Sequence, residues 1–191
     1  MSVNVLQLKV SLQRIEPPIW RRLEVKDNIS FYELHHVIQI AMGWWNAHLF
    51  EFSIDNYKIG ITDGDMVAEG TLESKEVKLS RLIDTEKKKF RYLYDFGDNW
   101  EHEIEVEKIS PMVNGKSYPS CTGGERNCPP EDILGFPGYM NLLNVMKDKN
   151  NPEYHGMLEW LGEEFDPEYF DLKETNGELQ FIIKTKNWDP N

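Results

Sequence analysis

Along the first dozen positions the apolar residues fall on alternate places: Leu6, Leu8, Val10 and Leu12 share one face of the segment from Val3 to Leu12. A period of two predicts a half-buried strand. Pro17 and Pro18 break the chain, and Ile19 to Val25 alternates again, with Ile19, Leu23 and Val25 on one side. Arg21 interrupts that apolar side, and Trp20 and Arg22 lie opposite. The period then changes. Ser30-Phe31-Tyr32-Glu33 has the form of a capping box, in which the serine hydroxyl caps the Glu33 amide and the glutamate reaches back. Phe31, Leu34, Ile38, Ala41 and Met42 follow at helical spacing and Gly43 supplies a stop, which predicts a helix from Phe31 to Met42.

Alternation resumes at His48, Phe50, Phe52 and Ile54 for a third strand. After a polar, glycine-containing loop, Phe90, Tyr92, Tyr94 and Phe96 make a fourth. In the fifth, Trp100, His102, Ile104 and Val106 face one way and Glu101, Glu103, Glu105 and Glu107 the other. Gly97-Asp98-Asn99 between these two runs has hairpin-turn chemistry. Beyond Pro111 the pattern lapses into a long irregular loop carrying Asn114-Gly115, Cys121-Thr122-Gly123-Gly124 and Pro129-Pro130. Helices are expected from Pro137 to Lys147 and from Pro152 to Leu161, with a shorter one at Pro167 behind an Asp166 cap. A last strand, Leu179 to Ile183, is expected after the turn Asn176-Gly177. The expected fold is α+β: a β-sheet with one capped helix packed across it, in β-grasp-like order, plus an irregular loop and short C-terminal helices. Residues 1–191 read as one domain, with 1–110 supplying sheet and helix and 111–191 the loop, helical tail and last strand.

Composition narrows the partners. Six Trp, eight Tyr and nine Phe predict a core or groove rich in rings. The net charge of −12 repels a phosphate backbone on average, which argues against nucleic acid. The basic group Lys87, Lys88, Lys89 and Arg91 is small and reads as the solvated start of a strand. The first ten residues, MSVNVLQLKV, lack the basic and apolar regions of a signal peptide, and no run is long enough to span a bilayer. A cytoplasmic location, away from membranes, is therefore expected.

Candidate chemistry concentrates from Tyr94 to His102, where Asp95, Asp98 and His102 fall in or beside one tight turn. Two carboxylates and an imidazole can bind a divalent cation or act as acid and base. The plainer alternative is a hairpin whose aspartates bond the turn backbone, with His102 a core residue. Cys121 and Cys128, separated by six residues, would need His102, His48 or His155 to complete a zinc site, so two ordinary reduced thiols are the expectation. Pro129 and Pro130 stiffen the approach to Glu131 and Asp132. Trp44, Trp45 and His48 surround the end of the helix, where they either line a pocket or plug the sheet edge. No serine lies in a nucleophile-elbow pattern.

Together these residues resemble the plasmid pRiA4b ORF-3-like family, some of whose members are labelled insertion-element passenger proteins of TnpR type. The resemblance is carried by Trp20-Arg21-Arg22-Leu23, Leu34-His35, Gly43-Trp44, His48-Leu49-Phe50, the run from Tyr94 to His102, Pro129-Pro130-Glu131-Asp132, Gly138-Tyr139 and Phe165-Asp166-Pro167. The family usually follows its Pro-Pro-Glu-Asp with two glycines, where this chain has Ile133-Leu134-Gly135. The resemblance implies a fold and a mobile-element association, but no activity. The resolvase that the TnpR label implies needs an arginine-supported nucleophilic serine and a basic DNA-binding module, and neither is visible.

The leading expectation is an intracellular, non-enzymatic binding or accessory module for a protein or small molecule. Its pocket would be built from Trp44, His48, Tyr94, Asp95, Asp98, Trp100, His102, Glu131 and Asp132, with no cofactor required. One alternative is a metal-dependent hydrolase with Asp95, Asp98, Glu131 or Asp132 as ligands and His102 as proton carrier. The other is that these motifs serve only folding.

Overall fold

The computed structural model describes residues 3–63 and 69–185. Eight strands form one sheet: β1 (Asn4–Leu12), β2 (Trp20–Lys26), β3 (Phe50–Ile54), β4 (Tyr57–Gly60), β5 (Leu72–Glu73), β6 (Lys89–Tyr94), β7 (Trp100–Pro111) and β8 (Ser120–Glu125). Their spatial order is β5-β4-β3-β6-β7-β1-β2-β8. Every neighbouring pair is antiparallel except β4 with β5. The two longest strands, β1 and β7, pair at the centre, from Asn4 against Pro111 to Leu12 against His102. The alternation read from the sequence is the alternation of burial: Leu6, Leu8, Val10 and Leu12 are buried, as are Trp100, His102, Ile104 and Val106.

Four helices accompany the sheet: α1 (Phe31–Met42), α2 (Gly135–Met146), α3 (Tyr154–Leu161) and α4 (Leu172–Thr185). The capping box at Ser30 and Glu33 is complete, and Gly43 closes α1 in the left-handed conformation with its amide on Gln39 and Ile40. Phe31 meets Phe52 edge-on at 5.2 Å between ring centres, and His35 stacks on Phe50 at 3.7 Å, so α1 lies against the aromatic face made by β3 and β6. Burial of the helix extends beyond its apolar stripe to His35 and Gln39, which lie against Phe50 and Tyr92 of the sheet, and to His36, which meets the Tyr32 ring. Gln39 Nε2 donates to the Tyr92 hydroxyl, which in turn bonds His35 Nδ1 at 2.7 Å.

Three expectations are corrected. The last strand is the helix α4: Thr175 and Leu179, four apart, are its buried positions, and a helical period had been read as alternation. Asn176 lies inside this helix and ties it to the sheet, accepting from the Cys121 amide and donating to the Cys121 carbonyl. The cap belongs to Asp171, whose side chain accepts from Lys173 and Glu174, while Asp166 makes only a local turn with Glu168. The irregular loop contains an edge strand, β8, whose Ser-Cys-Thr-Gly-Gly-Glu sequence has no alternation to announce it. Its Gly124 is demanded by packing: a Cβ there would lie 2.7 Å from the Phe170 ring and 2.8 Å from the Arg21 side chain. Arg21, set on an apolar face, is buried beneath that ring and donates to the carbonyls of Ala41, Trp20 and Glu125. At the start of β6 three members of the basic group pair with neighbouring acids, Lys88 with Asp55, Lys89 with Glu103 and Arg91 with Glu101.

Candidate metal centre

Three loops meet at one end of the sheet: residues 43–49 after α1, residues 95–99 between β6 and β7, and residues 127–134 before α2. The register places them. Phe50 of β3 faces Tyr94 of β6, and the Asp95 amide donates to the Leu49 carbonyl, so His48 and Asp95 leave the sheet side by side. Asp95 has a positive φ of 54° and Asn99 one of 57°, which curls the turn so that the Asn99 amide meets the Asp95 carbonyl at 2.7 Å. One oxygen of Asp95 accepts from the Gly97 amide at 2.8 Å, the turn-bonding role expected of it. Its other oxygen lies 3.6 Å from His48 Nε2.

The same nitrogen meets Asp132, whose Oδ1 lies 3.2 Å from Nε2. Neither approach has hydrogen-bond alignment, and Nε2 is buried without a hydrogen-bond partner. The ligand atoms of His48, Asp95 and Asp132 lie within 4.8 Å of one another. Asp98 completes the cluster. It accepts from the Gly135 amide, while its Oδ2 is buried with no partner. Burial raises its carboxyl above the usual range, and the charges of Asp95 and Asp132 push the same way.

Glu131 clamps these loops together. One oxygen accepts from the Trp45 amide at 2.8 Å, and the other from the Tyr94 hydroxyl. Tyr94 accepts in turn from the Ala47 amide at 3.0 Å. Burial, and then the Glu131 acceptor, push the Tyr94 phenol well up, so it stays protonated and keeps donating. Trp44 Nε1 adds a bond to the Pro129 carbonyl at 2.9 Å. The Trp44 ring stacks on Tyr94 and Trp100 and meets His102 edge-on, so these four rings form the solid wall behind the cluster.

Of the nine predicted site residues, the structure thus brings His48, Asp95 and Asp132 together, with Asp98 near enough to feel their charges. It gives Glu131 and Tyr94 a positioning role and sets Trp44, Trp100 and His102 beneath. His102 is fully buried, its Nδ1 facing the carbonyls of Trp100 at 3.0 Å and Tyr92 at 3.3 Å. It lies outside the group formed by His48, Asp95 and Asp132, so that group does not include the proton carrier of the hydrolase expectation. The zinc site weighed against two ordinary thiols is not assembled: among the described residues, His48, Asp95 and Asp132 form the one group spaced to hold an ion. Cys128 is buried with its Sγ against the Met42 sulfur and Arg21, Cys121 bonds the Gly123 carbonyl, and burial pushes both thiols up, which keeps them protonated. The sequence pattern places His48 in one pocket with the aspartates but pairs them with His102 as the working imidazole. Pairing the third and fourth alternating runs as neighbouring strands joins His48 to them instead.

Where Asp132 leads into α2 the backbone is tight. Asp132 and Leu134 have positive φ values of 58° and 68°, as does Gly135 at 68°. A Cβ on Gly135 would sit 2.4 Å from the Asp98 carbonyl oxygen, so glycine is what allows its amide to reach Asp98.

The chain is 39% identical over 163 residues to the "Uncharacterized protein y4hQ" of Sinorhizobium fredii, a match covering 85% of this chain and 83% of that one. Its structure is similar to the crystal structure of the protein of unknown function MM3350 from Methanosarcina mazei Go1. That match has a TM-score of 0.83 at 42% identity, over 91% of this chain and 98% of that one. Neither description states an activity, so these relatives carry fold and family alone. The model of the plasmid pRiA4b ORF-3-like protein family matches residues 4–174, and the chain belongs to that family.

Proposed function

We propose that the protein is a divalent-cation-binding module, with His48 Nε2, Asp95 and Asp132 as ligands and Asp98 as a further carboxylate beside them. The observation that carries this reading is the convergence of one imidazole nitrogen and two carboxylates within 4.8 Å, with Nε2 lacking a hydrogen-bond partner. Metal–ligand lengths of about 2.1 Å place donors roughly 3–4 Å apart, so a small rotation of the exposed Asp132 suffices. One nitrogen among oxygens suits a borderline first-row ion such as Mn²⁺ or Zn²⁺ better than Ca²⁺. The rigid ring wall and the Glu131 clamp hold His48 in place, the support a metal ligand needs. This reading keeps the expected binding module and the acids of the expected hydrolase, and replaces His102 by His48.

The test is calorimetric titration of chelator-treated protein with Mn²⁺ and Zn²⁺, for the wild type and the His48→Ala, Asp95→Asn, Asp98→Asn and His102→Asn variants. One ion should bind per chain, with affinity at least about tenfold weaker in the first three variants and unchanged in His102→Asn. Asp98→Asn also separates the reading from a purely structural cluster. Without metal, three facing carboxylates repel, so neutralising one should leave the melting temperature unchanged or raise it. A metal-free protein that ignores both ions up to about 1 mM, or an Asp98→Asn variant that unfolds, would overturn the proposal.

A further inference from the structure

Beside the cluster, and sharing Glu131 and Asp132 with it, a groove opens between residues 43–45 after α1, residues 127–132 and the C-terminal end of α3. We propose that this groove binds an organic cation, an amine carried on an apolar body. Its volume is about 480 Å³, within the range of small-ligand sites. Trp45 and Trp160 line it and remain 82% and 51% exposed, although indoles of this size ordinarily bury most of their surface.

Charge selects the occupant. Glu131, Asp132, Glu163 and Glu164 line the groove, and among the described residues no lysine, arginine or histidine does. Two helices add to the field: α1 ends at Gly43 and α3 at Trp160 and Leu161, all in the groove wall, and neither helix has a basic residue in its last turn. Helix C-termini carry partial negative charge; Arg21 answers part of it at the Ala41 carbonyl of α1, and no basic residue of α3 does so in its last turn. An anion would be repelled, and a neutral apolar ligand would strip water from carboxylates without replacing it. An ammonium group gains both the carboxylates and the indole faces. The field continues past Gly43 into a second trough bordered by Asp171, Glu174 and Glu178, whose one basic lining residue, Arg21, already donates to three backbone carbonyls.

The experiment follows the tryptophan indole N–H signals of the ¹⁵N-labelled full chain, in chelator, during titration with tryptamine and, separately, with indole-3-acetate. The two probes share a ring and differ in the sign of their charge. Tryptamine should shift the Trp45 and Trp160 signals with a Kd of about 1 mM or tighter, and indole-3-acetate should leave them in place. A Glu163→Gln/Glu164→Gln variant and, separately, Trp160→Ala should each weaken tryptamine by about fivefold or more. These side chains are largely exposed, and an unchanged melting temperature will show that each variant is folded. Equal binding of both probes would mean that the groove reads the ring and not the charge, and would overturn the proposal. So would no saturation by about 20 mM tryptamine, undiminished binding in the variants, or capture of a tetralysine peptide by a protein that ignores tryptamine. The chelator keeps the result separate from the metal reading, which can fail while this one stands.

Discussion

Mild acid should unfold this protein through its buried imidazoles before most carboxylates take up protons. Burial lowers the pKa of His102 to about 4 and that of His35 to about 3. The hydrogen bonds agree with neutral rings. Tyr92 accepts from Gln39 and so donates to His35 Nδ1, leaving Nε2–H to donate to Asn46; a proton on Nδ1 would break the first bond. In the unfolded chain both rings titrate near 6.5. Above about pH 7.5 neither state binds these protons, and the stabilisation is complete. As pH falls below 6.5 the unfolded state gains protons that the folded state refuses, so stability falls until the folded pKa is reached and then levels off. Each imidazole contributes a slope of about 1.4 kcal/mol per pH unit. At pH 5 the loss is about 2 kcal/mol for each and about 4 for the pair, a large share of the 5–15 kcal/mol typical of a domain. Urea unfolding of metal-free protein, followed by tryptophan fluorescence at pH 7.5, 6.5, 5.5 and 5.0, measures the slope. His102→Asn is the diagnostic variant, because an asparagine amide can replace Nδ1–H opposite the Trp100 carbonyl. Its stability is lower at every pH, but its slope between pH 6.5 and 5 should be about half that of the wild type. An unchanged slope, or a His102 resonance that titrates near 6.5, would refute the neutral core assignment.

Two further substitutions probe the loops around the cluster. Leu134→Gly should stabilise the protein by about 1 kcal/mol in chemical unfolding, since Leu134 holds a φ of 68° and is 81% exposed, so little burial is lost. A neutral or destabilising result would mean that its side chain contributes a contact outweighing the backbone strain. Glu131→Gln should weaken Mn²⁺ binding by about tenfold while the chain stays folded, because it loosens the clamp on Trp45 and Tyr94 without removing a ligand. Unaltered affinity would show that His48 is positioned without it.

What the sequence made legible was whatever has a period or a local chemical signature. β1, α1 and β7 could be read because their apolar residues recur every two or every three to four positions, and the α1 caps use side chains adjacent in sequence. β8 and β5 could not, because both are held by backbone pairing and long-range packing: Gly124 is explained by Phe170, 46 residues away, and β5 is two residues long. α4 was misread because Leu179 and Phe181 imitate alternation. Its helical period shows in the buried pair Thr175 and Leu179. The carboxylates of the candidate site were conspicuous in their turns, whereas the imidazole assigned to them depended on strand register. His102 is near Asp95 in sequence and on the wrong face, and His48 is 47 residues away and in contact.

The backbone around the cluster supports a site held in place at some cost in strain. Among the described residues nine non-glycine positions have positive φ, and five of them, Asn46, Asp95, Asn99, Asp132 and Leu134, fall in the three loops that meet at His48. Such conformations destabilise by roughly 1–3 kcal/mol each unless the surroundings fix them, and they gather where a side chain must be aimed. The fixing is visible here. Asn46 is tied by its amide to Gln39 and by its side chain to His35, Asp95 and Asn99 by the turn bond between them, and the loop of Asp132 by Glu131 and by Gly135 on Asp98. Strain and opposed carboxylates coincide in these loops. Selection for stability alone removes both, whereas a bound cation gives each a use.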